Sequence, residues 1–286
     1  MWKIVSILCS ILLINVFSSE SNKSEKTRSF SQPVCKGKKI LISEKSYNKH
    51  TARIARSENH TCQFIDLYYE GKIIFHEEGI GAHFYFGPQL EDDANPFFYI
   101  TKSDYPEFIF ANWNGGVHCC YTMKILRLKS EKVETLLATD PSNFVPEIED
   151  IDGDNTFEIK VLDDIFAYVF SSFAYSAKGR VIFRYINDQY QVSPEDTERA
   201  NPTQPLTLVQ LKTWQYLFKK SDHGDFPPPS FVQAMTDLFY SGNSEAAFEL
   251  TEAVWPADIP GKEKFLNNYI KVLSESSYYS KLSESF

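Results

Sequence analysis

The feature that most limits the fold of this chain is a change of hydrophobic period near residue 200. Upstream, apolar residues come in short runs separated by turn-forming pairs. The stretch Phe64-Ile-Asp-Leu-Tyr-Tyr-Glu-Gly-Lys-Ile-Ile-Phe75 reads as two strands turned at Glu70-Gly71. Residues 107–113 read as a strand, Asn114-Gly-Gly116 as a turn and 121–128 as the returning strand. Strands at 159–162, 167–170 and 181–185 follow, the last turning at Asn187-Asp188 into 190–192. Hairpin links of this kind imply antiparallel pairing. Downstream, Leu208, Leu211, Trp214, Leu217 and Phe218 recur at helical spacing. After Pro227-Pro-Pro229 a second helix begins with Phe231, Met235, Leu238 and Phe239; Ala247, Leu250, Thr251 and Val254 mark a third, ended by Pro256. Phe265, Leu266, Tyr269, Ile270, Val272 and Leu273 give a fourth one broad apolar face. The expected fold class is α+β, with an antiparallel β-rich domain over residues 34–200 and a small α-helical region over 201–286.

The start of the chain reads differently. Lys3 and the apolar run 4–17, followed by Ser18-Ser19-Glu20-Ser21, have the pattern of an export signal over residues 1–19. The run is short for a membrane span, so a lone anchor is the weaker reading, and no later stretch is apolar enough to serve as one. Cys9 lies inside the run rather than closing it, which argues against lipid attachment. Residues 20–33, rich in Ser, Lys and Glu, read as a flexible leader. A net charge of −9 speaks against a nucleic-acid partner, whose phosphates would repel it. Export places the chain in a periplasmic or secreted setting, where Cys35, Cys62, Cys119 and Cys120 are expected to form disulfides. Either the adjacent pair bonds to itself, as Gly115-Gly116 would permit, or each member reaches one of the two upstream cysteines.

Asp150-Ile-Asp-Gly-Asp-Asn-Thr-Phe-Glu158 crowds four carboxylates into nine residues at the mouth of a strand. Like charges at alternate positions around a glycine point to a bound cation. Calcium takes about 6–8 oxygen ligands, often alternate carboxylates plus a backbone carbonyl. Asp150, Asp152, Asp154 and Glu158 would bind by side chain and Thr156 by its carbonyl. Gly153 and Asn155 are the residues able to take positive φ and fold the loop around the ion. An EF-hand is excluded: that loop wants glycine at its sixth position and glutamate at its twelfth, where this one has Asn155 and Val161. The competing reading is a solvated acidic turn.

The loop and its following strand resemble the calcium loops of FG-GAP or VCBS-type repeats. Together with Trp113-Asn-Gly-Gly-Val-His-Cys-Cys-Tyr121, they are similar to a largely uncharacterised group of secreted bacterial proteins that look like FG-GAP relatives. The resemblance covers residues 95–195, and more loosely a single C-terminal helix from Phe265-Leu266 to Tyr279. It implies a partial propeller-like arrangement, a sandwich-like one being the other way to stack such sheets, and it implies a single calcium site. The group's earlier acidic loop corresponds here to Tyr99-Ile-Thr-Lys-Ser-Asp-Tyr-Pro-Glu107, where Tyr99, Thr101 and Ser103 replace three carboxylates and only Glu107 keeps its acid. That copy is expected to persist as a structural turn without an ion.

The remaining chemistry is thin. His118 beside two cysteines has no zinc-site spacing, and His76-Glu77 with His83 lacks the His-Glu-x-x-His register. Asp163-Asp164 could supply an acid and a base, but adjacent strand residues face opposite ways. Asn59-His-Thr61 matches a glycosylation acceptor, which carries no weight in the bacterial envelope protein that the resemblance implies. The aromatic runs 84–86, 97–99 and 166–175 are core, with some members available for a sugar or peptide face. The chain is therefore expected to be an exported, calcium- and disulfide-stabilised binding or scaffolding protein of the bacterial envelope with an unknown protein or glycan partner. A secreted hydrolase of envelope polysaccharide or peptide, using Asp163 or Asp164 with His118, is the alternative.

Overall fold

The computed structural model describes residues 35, 37–87, 94–116, 119–201, 207–220 and 227–286, with Cys119 described by its backbone alone. The expected export signal and leader, and His118, lie outside the described residues.

Among the described residues, three antiparallel sheets follow one another along the chain. The first is a meander of β1 (Lys39–Tyr47), β2 (His50–Ser57), β3 (Cys62–Tyr69) and β4 (Lys72–Ile80). In the second, β7 (Glu107–Gly116), β8 (Cys119–Lys129) and β9 (Lys132–Ala138) form a meander. Its outer edge is covered by β5 (His83–Phe86) and β6 (Phe97–Phe98), both paired with β7. The third is β10 (Glu147–Glu149), β11 (Glu158–Asp163), β12 (Gly179–Ile186) and β13 (Gln189–Val192), again in chain order. Glu70-Gly71 and Asn187-Asp188 turn their hairpins as expected: all four residues have positive φ, the geometry a two-residue hairpin loop demands.

The second sheet is the middle of the β region because its strands are apolar on both faces. Phe108 and Phe110 of β7, with Leu126 and Leu128 of β8, pack against Ile54, Ile65 and Leu67 of the first sheet. Their alternates Ile109, Met123 and Ile125 join Ile159, Val161, Val181 and Phe183 of the third sheet and the helices. Period-two alternation puts the two sets on opposite sides of the same strands. The sheets do not close into a propeller.

Six α-helices follow among the described residues: α1 (Pro194–Ala200), α2 (Leu208–Lys220), α3 (Pro229–Tyr240), α4 (Ser244–Val254), α5 (Lys262–Ser274) and α6 (Ser277–Ser283). The expected division near residue 200 falls between α1 and α2. Residues Cys35–Phe286 nevertheless form one compact unit, and one apolar cluster runs through the third sheet and the helices. On α5, Phe265, Tyr269 and Leu273 are buried while Ile270 stays largely exposed, so the packed stripe is narrower than the apolar face of the sequence. No helix among the described residues is long and apolar enough to cross a membrane.

Three local expectations need correction. Residues 167–170 are a turn, not a strand. The Asp164 carbonyl accepts from the Ala167 amide at 2.8 Å, the Phe166 carbonyl accepts from Val169 at 3.0 Å, and Tyr168 sits at a φ of 62°. The buried residues there, Phe166 and Phe170, are four apart and both stack on Tyr269, a spacing that suits a turn better than a strand. The β-rich region also opens with a hairpin, β1–β2, that lies ahead of the strands read from the sequence. β1 is exposed over most of its length and so lacks the alternating pattern that marks a half-buried strand. Finally, α5 and α6 are two helices rather than one, broken at Glu275-Ser276, where the Ser276 hydroxyl caps α6 by accepting from the Tyr279 amide at 2.9 Å.

Candidate metal centre

The loop between β10 and β11 is folded by its own acids. Asp152 Oδ1 accepts from the Asp154 amide at 3.1 Å, Asp154 Oδ1 from Thr156 at 2.6 Å, and Asp150 Oδ2 from Asn155 at 3.0 Å. Gly153 and Asn155 have φ of 74° and 63°, the left-handed conformation their sequence positions call for. Glu158, the first residue of β11, closes the loop by accepting from the Ile151 amide at 2.9 Å.

These bonds bring Asp150, Asp152 and Glu158 together, one oxygen from each lying within 4.8 Å of the others. Glu158 is 1% exposed, and burial pushes its carboxyl above the usual range, with the charge of Asp152 adding to the shift. Asp150 Oδ1 is buried and has no hydrogen-bond partner. A buried acceptor left unpaired carries its full desolvation penalty, roughly 1–3 kcal/mol. An all-oxygen donor set with one orphaned carboxylate atom fits a hard divalent cation. Asp154 stands outside this trio. Its second oxygen lies 3.3 Å from Lys102 Nζ, and the Thr156 amide and Lys102 hold its carboxyl below the usual range. Thr156 is placed by its backbone amide, which donates to Asp154 Oδ1.

The loop also meets positive charges from elsewhere in the fold. Arg184 of β12 lies one residue beyond the Ile159–Phe183 pair. Its Nη2 is 3.1 Å from Asp152, its Nε 3.7 Å from Glu158 and 2.9 Å from Asp196 of α1. Sequence reading missed Arg184 and Asp196. The turn at Asn187-Asp188 fixes only β12 against β13; the register of β11 against β12 is set across the long connection 164–178, so no local signal placed Arg184 beside Glu158. Lys102 comes from the earlier loop, whose Ile100 carbonyl accepts from the Phe157 amide at 2.8 Å.

The earlier loop is a structural turn. Glu107 accepts from the Ile100 amide at 3.1 Å and from the Thr101 hydroxyl at 2.5 Å, and Arg127 reaches the same carboxylate at 3.3 Å. Both charged side chains are almost fully buried.

Cys35 and Cys62 form a disulfide, which removes the arrangement in which both upstream cysteines reach the adjacent pair. Cys120 is disulfide-bonded as well. His76 bonds to Asp66 and His83 lies against Trp113, so neither takes part in a metal cluster among the described residues.

Asp163 and Asp164 line the same cleft, of about 310 Å³, together with Asp140, Ser142, Glu275 and Tyr278. The expectation that they face apart fails because β11 ends at Asp163, and strand alternation ends with it. Asp163 accepts from Tyr240 Oη at 2.6 Å and from the Ser276 hydroxyl, while Asp164 accepts from the amide and side chain of Asn143. Their acceptor oxygens are thus engaged in holding α3, α6 and the 140–144 loop to the third sheet.

No family model matches the chain, and no solved structure matches it. Among curated proteins, an uncharacterized protein, y4bJ, of Sinorhizobium fredii (strain NBRC 101917 / NGR234) is 29% identical over 84 residues. The match takes in 29% of this chain and 13% of that protein, so this chain spans a small part of the relative's length.

Proposed function

We propose that this chain is an exported binding or scaffolding protein of the bacterial envelope, periplasmic or secreted, stabilised by disulfides and by one calcium ion. The observation that carries the metal reading is the orphaned Asp150 Oδ1 within a trio of carboxylates from a self-folded loop. Asp150, Asp152 and Glu158 would hold the ion by side chain, with the Thr156 carbonyl and Asp154 as the further oxygens. Calcium suits the site better than magnesium, which keeps its waters and seldom uses an all-protein cage. The role is structural, since the loop precedes β11 and its closing carboxylate is the first residue of that strand. The resemblance to FG-GAP-type calcium loops supports the same assignment. For a partner, the exposed Tyr168 and Tyr175, beside the Phe144–Phe173 stack, offer a face on which a glycan or protein could rest.

Thermal unfolding of the full oxidised chain, in excess EDTA and then in millimolar calcium, tests the metal reading. An ion present at about 100 times its Kd adds roughly 2.7 kcal/mol. For a chain of this size that raises Tm by about 5–10 °C. The rise should vanish in Asp152→Ala and shrink in Asp150→Asn. Superimposable curves with and without calcium would reduce the loop to an acidic turn.

A further inference from the structure

Two loops of this chain are built to one plan and differ in what balances their carboxylates. In each, the closing glutamate accepts from a backbone amide seven residues upstream, Ile100 for Glu107 and Ile151 for Glu158. In each, an arginine arrives from the facing strand: Arg127 opposite Glu107, and Arg184 one residue past the Ile159–Phe183 pair. The first loop is closed, because Thr101 and Arg127 both bond to Glu107 and the two charges are sealed from water. The second is not. Arg184 is shared among Asp152, Glu158 and Asp196, and its Nη2 donates to Asp196 Oδ1 at 3.2 Å. Beside it, Asp150 Oδ1 has no partner at all. Arg184 reaches two of the three clustered carboxylates, and its other partner, Asp196, is shared with Arg199 at 3.4 Å.

We propose that Arg184 is a built-in competitor for the cation. A divalent ion entering the Asp150–Asp152–Glu158 cluster displaces the guanidinium from Asp152 and Glu158, and Arg184 then rests on Asp196. This inference depends on the metal reading of the loop. Asp196 is equipped to retain the arginine: it is 5% exposed, accepts from the Ser193 hydroxyl at 2.6 Å, and already lies 2.9 Å from Arg184 Nε. The site therefore exchanges a singly charged cation for a divalent one instead of filling an uncompensated cage. Its affinity is set by Arg184 as well as by the ligands. Because Asp196 stands in the first turn of α1, the exchange is passed to the helix that follows the third sheet.

Calcium titration of the full chain and of Arg184→Gln by calorimetry tests this, alongside the arginine Nε–Hε NMR signal of Arg184 in the unsubstituted protein. A guanidinium within about 4–6 Å shifts the proton equilibrium of a carboxylate by roughly 1–3 log units, and it opposes a bound metal cation in the same way, so Arg184→Gln should bind calcium about tenfold tighter or more. The Arg184 signal should move on saturation. A folded R184Q that binds no more tightly than the parent, or an Arg184 signal that stays in place as calcium binds, overturns the inference and leaves the metal site standing. If R184Q does not fold, the NMR result decides alone. Absence of calcium binding in both proteins removes the metal reading, and the inference with it.

Discussion

Asp163 is the residue at which the third sheet, α3 and the start of α6 meet. It ends β11, is 6% exposed, and accepts hydrogen bonds from Tyr240 of α3, from Ser276 at the start of α6, and from the Ile165 amide at 3.1 Å. Burial raises its carboxyl above the ordinary range against the lowering effect of those three donors, and the neighbouring charge of Asp164 adds to the rise. A carboxyl whose native value lies above its unfolded value of about 3.9 favours the folded state only while protonated. That contribution is complete below about pH 4 and is lost as pH rises through the native value. Asp163→Asn should therefore flatten the fall in stability over that window, read from urea midpoints at a series of pH values. Asp163→Ala leaves the Tyr240 and Ser276 hydroxyls without their acceptor. It should cost about 2–4 kcal/mol at pH 7, since an unsatisfied buried group costs roughly 1–3 kcal/mol.

At the scale of elements, the β11–β12 pair shows how a strand is shaped to receive a helix. Gly179 faces Asp163 across the ladder, and the ring of Tyr240 lies over it on the way to the carboxylate. A Cβ on Gly179 would stand 2.3 Å from two of the ring carbons, closer than any packed atoms come. Gly179→Ala must therefore push α3 away from the sheet or tilt the ring off Asp163. It should lower stability by about 1–3 kcal/mol, the usual cost of overpacking, visible as a lower urea midpoint with an unchanged slope. The loops before β7 and β11 make a related point. The same backbone plan is held in one case by Thr101 and Arg127, while in the other a trio of carboxylates leaves one atom unpaired.

For the molecule as a whole, the three sheets and the helices share their apolar cores, whereas the start of the described chain is tied in covalently. Cys35 is bonded to Cys62 at the head of β3 across a sequence separation of 27. Closing a loop of that length restricts the unfolded chain by about 3–4 kcal/mol in the entropic account. Cys35→Ala with Cys62→Ala should lower the unfolding free energy by about that much. Differential scanning calorimetry would check it, with the calcium-dependent rise in Tm retained because the loop at 150–158 belongs to another sheet. At the other end, Tyr269 stacks on Phe166 with ring centroids 4.5 Å apart, so α5 is fastened to the turn that follows β11.

By itself, the sequence determined the class of the fold, most of the hairpins and the self-folding of the acidic loop. These depend on interactions between residues a few positions apart: alternation of Phe108, Ile109 and Phe110, positive φ at Glu70-Gly71 and Asn187-Asp188, and Asx turns through Asp152 and Asp154. Short exposed or turn-like segments were hidden, because β1 has no buried face to alternate and the residues around Tyr168 are apolar without being extended. Tertiary structure alone decided which acids gather. Lys102 draws Asp154 aside, Arg184 and Asp196 enter from distant elements, and Asp163 and Asp164 are turned into one cleft by the end of a strand. The physical reason is that the balance of charge in a loop depends on every cation within a few ångströms. Those neighbours are set by the packing of elements that lie far apart along the chain.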